Sequence, residues 1–168
     1  LPLLLFATSC ASPVVIAQEV KITDEELQER IKEAKQGDAI AQFDLGLMYD
    51  EGESVSADYK KALRWYRLAA EQGHAGAQCN LGLMYSYGRG VTQDDKEGLK
   101  WYRLAANQGA AQAQLNIGIC YSEGMGVTED DKEAVKWCRL AAEQAHVEAQ
   151  YNLGGMYYLG EGVTGDYV

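Results

Sequence analysis

The sequence predicts an all-α protein, a solenoid of stacked antiparallel helix pairs, on three observations. Several residue types recur every 36 positions, the segments between them carry apolar residues at helical spacing, and glycine-rich stop signals separate those segments. A fixed period of this length indicates a repeat array. The chain has 168 residues and is 47% hydrophobic, which is enough to bury one domain core. The recurring residues include Gln42, Gln78, Gln114 and Gln150, then Gly46, Gly82, Gly118 and Gly154, then Tyr49, Tyr85, Tyr121 and Tyr157.

The N-terminal segment, LPLLLFATSCASPVVIA, has no charge and predicts a signal peptide over residues 1–17. It is short and interrupted by proline, so a membrane span is not expected. The sequence ATSC is a degraded lipoprotein acceptor, and a lipid on Cys10 stays open as an alternative. No Met or basic segment precedes Leu1, so we expect the N-terminus as given to be incomplete. Residues 18–22 are predicted to be a short linker, and the mature protein is expected in the periplasm or secreted.

The repeat array is predicted to fill residues 23–168. It opens with half a repeat, in which Thr23 and Glu26 form a capping box at the start of a helix that runs through Gln36. The last helix has an apolar face with no helix after it, which predicts a fragment of a longer array or an edge that another molecule covers. The predicted units are the half repeat 23–38, the repeats 39–74, 75–110 and 111–146, and the partial repeat 147–168.

The first helix of each repeat has a glycine in its middle, in AQFDLGLMY, AQCNLGLMY, AQLNIGICY and AQYNLGGMY. Glycine inside a helix costs about 0.5 to 1 kcal/mol relative to alanine. Its recurrence predicts close contact with another helix at a point where a methyl group would clash. We therefore expect Gly82→Ala to destabilise the fold.

The loop inside each repeat carries helix stop and start signals. Gly88 and Gly124 are predicted to end the first helices in a left-handed conformation. Thr92 is predicted to cap the second helix, with Asp95 three residues on, and Thr128 repeats the pattern. The paired aspartates of these loops would be calcium ligands on an alternative interpretation. The loops lack the alternating oxygen ligands of a calcium site, so capping is favoured.

The second helix contains WYRLAA, which recurs with one change. Trp beside Arg is typical of a binding hot spot, whereas copying at a fixed spacing is typical of a packing unit. On a helical wheel Trp65 and Tyr66 share one arc with small alanines, opposite the charged residues. We therefore predict that the aromatic residues form core, and that Arg67, Arg103 and Arg139 form a solvated stripe.

Three cysteines lie within the array and are predicted to be buried free thiols: Cys79, Cys120 and Cys138. Cys120 and Cys138 fall on consecutive antiparallel helices, about 10 Å out of register at a rise of about 1.5 Å per residue. That separation is beyond the reach of a disulfide.

The pattern A-x-A-Q-x-x-L-G-x-M-Y-x-x-G-x-G-V-x-x-D-x-x-K-A-x-x-W-Y-R-x-A-A, found over residues 23–168, resembles the Sel-1-like repeat family, relatives of the tetratricopeptide repeats. Ser54 and Gly98 are minor departures from it. The resemblance implies a right-handed α/α superhelix whose first helices line a concave face. It also implies a non-catalytic adaptor that binds other proteins, and exported bacterial members that act as regulators or host-interaction factors.

One face of the first helices is both apolar and rich in amides, and we predict that it binds a protein or an extended peptide. An asparagine side chain offers two donors and an acceptor to a peptide backbone. Alternatively, the amides bond only to the neighbouring repeat. Replacing Asn80 and Asn116 with Ala would separate the two. The predicted partner-binding residues are Phe43, Asp44, Leu47, Cys79, Asn80, Leu83, Leu115, Asn116, Ile119, Tyr151 and Asn152.

Other function classes are less well supported. A net charge of −10 argues against nucleic acid as a partner. A cysteine-rich branch of the family is linked to penicillin binding and β-lactam hydrolysis, which makes a cell-wall enzyme the rival hypothesis. The sequence has no Ser-x-x-Lys, no His-Glu-x-x-His and no phosphate-binding glycine loop, so no catalytic residue, metal or cofactor is predicted. His74 and His146 precede helices, where capping is the commoner role. A purely structural spacer would have a polar concave face.

Overall fold

The computed structural model describes residues 22–52 and 55–162, and within those ranges it contains eight α-helices and no strand. The predicted signal peptide with Cys10, the predicted linker before residue 22, and residues 163–168 lie outside the described part. None of the described helices has both the length and the apolar character to cross a membrane. The helices are α1 (Asp24–Lys35), α2 (Ala39–Glu51), α3 (Tyr59–Glu71), α4 (Ala75–Tyr87), α5 (Asp95–Asn107), α6 (Ala111–Glu123), α7 (Asp131–Glu143) and α8 (Val147–Leu159).

The helices stack in chain order, and each packs against the helix before it and the helix after it. The first-type helices are α2, α4, α6 and α8, and the second-type helices are α1, α3, α5 and α7. Buried residues form four clusters that follow one another along the stack instead of surrounding a single centre. That is the core of a repeat array, in which each unit buries its apolar surface against its neighbours. The prediction of an all-α solenoid of antiparallel helix pairs is confirmed.

The helix starts follow the capping signals, with one correction. Thr23 and Glu26 make both hydrogen bonds of a capping box at α1, as predicted. Helices α5 and α7 begin two residues later than predicted, because Asp94 and not Thr92 caps α5, and Asp130 and not Thr128 caps α7. A carboxylate accepts from the free amides at a helix start and also favours the positive end of the helix dipole. The aspartates of these loops therefore act as caps.

The helix stops are as predicted. Gly88 and Gly124 close α4 and α6 in the left-handed conformation. Two residues further on, Gly90, Gly126 and Gly162 also have positive φ, and each lies against the backbone at the start of the preceding second-type helix. A side chain at any of these three positions would collide with that backbone, so glycine fixes the return of the loop.

The mid-helix glycines mark close helix contacts, which confirms the prediction at three of the four repeats. A Cβ added at Gly82 would lie 2.5 Å from the ring of Tyr102, and one added at Gly118 would lie 2.5 Å from the sulfur of Cys138. Gly46 meets the ring of Tyr66 in the same way. Around Gly154, by contrast, no atom of the described residues lies within 4 Å of the added Cβ, apart from its chain neighbours and the backbone of its own helix.

The aromatic residues of the second-type helices are packing residues, as predicted. Tyr66 and Tyr102 are completely or almost completely buried. Trp65, Trp101 and Trp137 are half-buried, and each packs against the core cluster on the side of the preceding repeat. The cluster of Trp, Tyr and Arg is therefore a joint between repeats.

The arginines beside them are not simply solvated, which corrects the prediction. Each donates a hydrogen bond to a tyrosine hydroxyl on the next first-type helix: Arg67 to Tyr85, Arg103 to Tyr121 and Arg139 to Tyr157. Each pair spans 18 residues and joins consecutive repeats. The helical wheel correctly placed the arginines on the outer side of their helices. It could not show which residues of the neighbouring repeat lie close to them.

The cysteines divide into two groups. Cys120 and Cys138 are buried free thiols, as predicted. Cys79 is disulfide-bonded, so the prediction of a free thiol is wrong at that position.

Candidate protein-binding face

The predicted partner-binding residues lie together along the first-type helices, but few of them are accessible. Tyr151 is 69% exposed, whereas Phe43, Asp44 and Leu47 are half-buried. The other members are at most 8% exposed: Cys79, Asn80, Leu83, Leu115, Asn116, Ile119 and Asn152. The face is therefore accessible at α2 and α8 and closed along α4 and α6.

Phe43, whose equivalents in the later repeats are Cys79, Leu115 and Tyr151, shows one reason for this burial. Its ring stacks on the imidazole of His74, with 4.4 Å between ring centroids, and lies against Gly76 at the start of the next first-type helix. The position thus fills the space between consecutive first-type helices. Tyr151 occupies the same position on α8, and no further first-type helix follows within the described residues.

Asn116, one of the asparagines of this face, is linked by hydrogen bonds to both neighbouring repeats. Asn116 on α6 donates to the sulfur of Cys79 on α4 at 3.7 Å, and it accepts from Gln112 at 3.2 Å. Gln112 in turn bonds the Nε2 of His146 at 3.0 Å. Because the Nδ1 of His146 accepts from the amide of Ala149, the neutral ring carries its proton on Nε2 and donates to Gln112. These are the repeat-to-repeat contacts of the second alternative, and the peptide-binding ladder stays a prediction.

The remaining polar members of the face differ from repeat to repeat. Asp44 pairs with Arg30 across α1 and α2. Asn80 lies against the hydroxyl of Tyr66 in the preceding second-type helix. Asn152 is 4% exposed, and its amide nitrogen has no hydrogen-bond acceptor among the residues that the structure describes. Asn116 donates to the sulfur of Cys79, and the equivalent of Cys79 one repeat later is Leu115. The hydrocarbon side chain of Leu115 offers Asn152 no acceptor.

A glutamine network ties the helices together, and the sequence pattern gave no role to it. Gln78 on α4 donates to the last-turn carbonyl of Ala70 at 3.1 Å, and its oxygen accepts from Gln108 at the end of α5 at 2.8 Å. One buried side chain thereby joins three helices, and the carbonyl of Ala70 accepts this bond in addition to one from the amide of Gly73. Gln42 makes the same pair of bonds one repeat earlier. The recurrence of these glutamines every 36 residues was the available signal.

A second group of exposed residues lies where α4 ends, and sequence reasoning missed it. The guanidinium of Arg89 sits between the rings of Tyr59 and Tyr87, 5.8 Å from each centroid, and 3.8 Å from the carboxylate of Asp50. Burial raises the pKa of Asp50 above its usual range, against the opposing charge of Arg89. Tyr59 is 45% exposed and Tyr87 50% exposed. These residues break the repeat pattern, which is the signal that could have found them.

The groups that hydrolytic chemistry would use have structural roles here. Burial raises the pKa of Cys120 and of Cys138 to about 12, so both remain protonated thiols at neutral pH. His74 and His146 cap α4 and α8 through Nδ1, as the sequence predicted. Among the described residues no group of three or more His, Cys, Asp or Glu side chains is arranged to hold a metal ion.

Comparison with known proteins gives a consistent picture of the architecture. A crystal structure of a protective antigen present in uropathogenic Escherichia coli strains, displaying an SLR fold, matches 84% of this chain at 45% identity with a TM-score of 0.79. A Sel1 repeat protein from Oxalobacter formigenes matches 83% at 41% identity, also with a TM-score of 0.79. The chain spans 30% and 55% of those two structures.

A more distant likeness supports the fold alone. Cysteine rich protein B of Helicobacter pylori is 20% identical, with a TM-score of 0.60, over 77% of this chain and 92% of that one. No curated protein matches the sequence. The Sel1 repeat model matches residues 39–74, 75–109, 111–146 and 147–168. With those matches covering most of the chain, and with helix pairs that stack as described, the protein belongs to the Sel1 repeat family.

Proposed function

We propose that this protein is a non-catalytic scaffold that binds a protein or an extended peptide on the face of its first-type helices, and that it acts in the bacterial envelope or outside the cell. Its family, whose members are typically protein-interaction scaffolds, supports the first part. First contact would fall on the accessible members of the face, Phe43, Asp44 and Leu47 on α2 and Tyr151 on α8. The buried members would hold those side chains in place.

The observation that carries the proposal is that the helical frame of the repeat is constant, whereas exposed side chains differ from repeat to repeat. Some buried positions carry the same residue in successive repeats, such as Gln42, Gln78 and Gln114, whereas the exposed last residue of each first-type helix is Glu51, Tyr87, Glu123 or Leu159. Side-chain variation on a fixed frame is what a recognition surface needs. A spacer would need only the frame.

Site-specific photo-crosslinking in envelope extracts tests this proposal. A benzoylphenylalanine placed at Leu47 or at Tyr151 should capture the same protein, because both positions lie on the proposed face. The same probe at Lys132, exposed on α7, is the matched control and should capture nothing. Capture of that protein from Lys132 but not from Leu47 would place binding on the second-type helices and contradict the proposal. Turnover of a chromogenic β-lactam by the purified chain would refute the non-catalytic part.

A further inference from the structure

Tyr59, Tyr87 and Arg89 form an exposed cluster where the start of α3 meets the end of α4, and we call these three residues the Arg89 cluster. The two rings are 45% and 50% exposed, and the side chain of Arg89 is 48% exposed. The same positions one repeat later are occupied by Asp95, Glu123 and Met125. The helices of that repeat stack in the same way without such a cluster, so repeat packing does not explain it.

The two rings hold the guanidinium of Arg89 in place without occupying its hydrogen-bond donors. Its central carbon lies 5.8 Å from each ring centroid, a distance at which a cation is attracted to an aromatic ring. Within the described part of the chain its N–H groups donate no hydrogen bond, whereas Arg67 and Arg103 each donate to a tyrosine hydroxyl. Arg89 therefore presents free donors in the planar fork that matches a carboxylate.

Asp50 compensates the charge of Arg89 only weakly. Its carboxylate oxygen lies 3.8 Å from the guanidinium nitrogen, beyond hydrogen-bond distance, and its side chain is 14% exposed. Burial raises the pKa of Asp50, because it disfavours the charged carboxylate. Glu123 also lies near the cluster, since its charge raises the pKa of the Tyr87 hydroxyl, after the larger effect of burial and against the charge of Arg89. The exposed side of the guanidinium is therefore the side without a paired carboxylate.

We propose that the Arg89 cluster docks an acidic side chain of a protein partner, whose carboxylate accepts hydrogen bonds from the guanidinium while the adjoining residues pack on the two tyrosine rings. Charge complementarity selects the carboxylate, and its two oxygens can accept from two N–H groups of one arginine. Tyrosine and arginine are also the residue types that contribute most to protein interfaces. This inference rests on the proposed scaffold function and adds a contact at the helix ends, with the chemistry of the group bound there.

Titration of the isotopically labelled full chain with a short peptide, acetyl-Ala-Ala-Glu-Ala-Ala-amide, tests the proposal by NMR. The peptide should shift the side-chain Nε–H signal of Arg89 and the amide signals of Tyr59 and Tyr87, and the same peptide with Gln in place of Glu should not. Arg89→Met, which introduces the residue found at Met125, should weaken binding about threefold, as expected for one exposed ion pair. Far-UV circular dichroism verifies that the variant remains folded, and the comparison of the two peptides on the wild-type chain needs no variant.

Arg64→Met is the matched control, since Arg64 is exposed on α3 and no ring of the described residues flanks its guanidinium. It should leave binding unchanged. Equal weakening by Arg64→Met and Arg89→Met would show unspecific attraction of an acidic peptide and would overturn the inference. An Arg89 signal that responds to neither peptide, or equally to both, would also overturn it, while crosslinking at Leu47 would leave the scaffold proposal intact. Loss of that crosslinking with the Arg89 shift retained would have the opposite meaning.

Discussion

At the scale of single residues, one position before each first-type helix shows how a repeat tolerates substitution. Asp38, His74 and His146 occupy it in three repeats, and each side chain accepts a hydrogen bond from the backbone amide three residues on. Ala110 occupies it in the remaining repeat and makes no such bond, although its backbone has the same extended conformation. The cap geometry is therefore set by the frame, and the side chain only contributes stability.

Ala110→Asp is expected to stabilise the protein by about 1 kcal/mol, because it would supply a missing N-cap to a backbone already in cap conformation. Urea unfolding measures the change. Asp38→Ala, which removes a working cap, should lower stability by a similar amount. If Ala110→Asp were neutral while Asp38→Ala destabilised, the amides at the start of α6 would have to be satisfied by another group.

His74 predicts a pH dependence of stability. Burial lowers the pKa of this histidine from its ordinary 6.5, and the cap requires an unprotonated Nδ1. The unfolded chain takes up a proton that the folded chain resists, so stability is fully present above about pH 6.5. It should fall as the pH drops below that value and be lost through the lower folded pKa.

The measurement is the difference in unfolding free energy between wild type and His74→Asn, between about pH 7.5 and pH 5. Asparagine is a good N-cap that does not titrate, so the difference cancels the carboxylates, which are common to both proteins. Wild type should lose stability relative to the variant as the pH falls. A difference that stays constant across the range would contradict the assigned role of the imidazole.

At the scale of the helix, the mid-helix glycines set the distance between the two helices of a repeat. A glycine there lowers the helix propensity. At Gly82 the absence of a side chain allows the ring of Tyr102 to pack against the helix. Gly98 on α5 faces the same contact from the other side and lies against the carbonyl of Gly82. Close helix approach and a buried tyrosine are thus linked features of the repeat.

Gly82→Ala should destabilise the fold by about 1 to 3 kcal/mol, the usual cost of overpacking. Gly154→Ala is the matched variant, because it removes the equivalent glycine at a point where the described part of the chain places no atom of another helix within 4 Å. It should stabilise by about 0.5 to 1 kcal/mol through helix propensity alone. The melting temperatures of both variants test this prediction. A higher melting temperature for both would show that the helix contact at Gly82 accommodates a methyl group without loss of stability.

At the scale of the molecule, stability is expected to vary along the stack because each helix is stabilised by its neighbours. Only Ala34 is buried on α1, whereas α4 buries every residue from Ala77 to Met84. Polar contacts join the repeats at their edges, where Arg103 bonds Tyr121 and Gln108 bonds Gln78. The centre of the stack should therefore open last.

Native-state hydrogen exchange should show this gradient. Amides of α4 and α6 should exchange only through global unfolding, and those of α1 should exchange through local opening at a lower free energy. Exchange rates measured by NMR as a function of denaturant separate the two routes. Uniform protection from α1 to α6 would indicate that the array unfolds as one unit and would contradict nearest-neighbour stabilisation.

The sequence by itself determined the helices, their order and the period of the stack. Capping boxes, left-handed glycines and apolar spacing are local signals, since they depend on residues a few positions apart in the chain. They located α1 and the ends of the helices at Gly88 and Gly124. The predicted start of α5 was two residues too early, because Asp94 caps this helix instead of Thr92. The contacts at Gly46, Gly82 and Gly118 were predictable because a helix-propensity cost that recurs along the chain needs a compensating contact.

Only the tertiary structure decided what the faces of those helices do. A helical wheel gives the direction of a side chain and not what lies opposite, so it placed Arg67 in solvent when Tyr85 of the next repeat accepts its hydrogen bond. The same limit applied to Asn116, whose amide faces Cys79, and to Arg89, whose two tyrosine neighbours come from different helices. Burial and pairing arise between repeats, from residues dozens of positions apart, and those contacts exist only once the stack has formed.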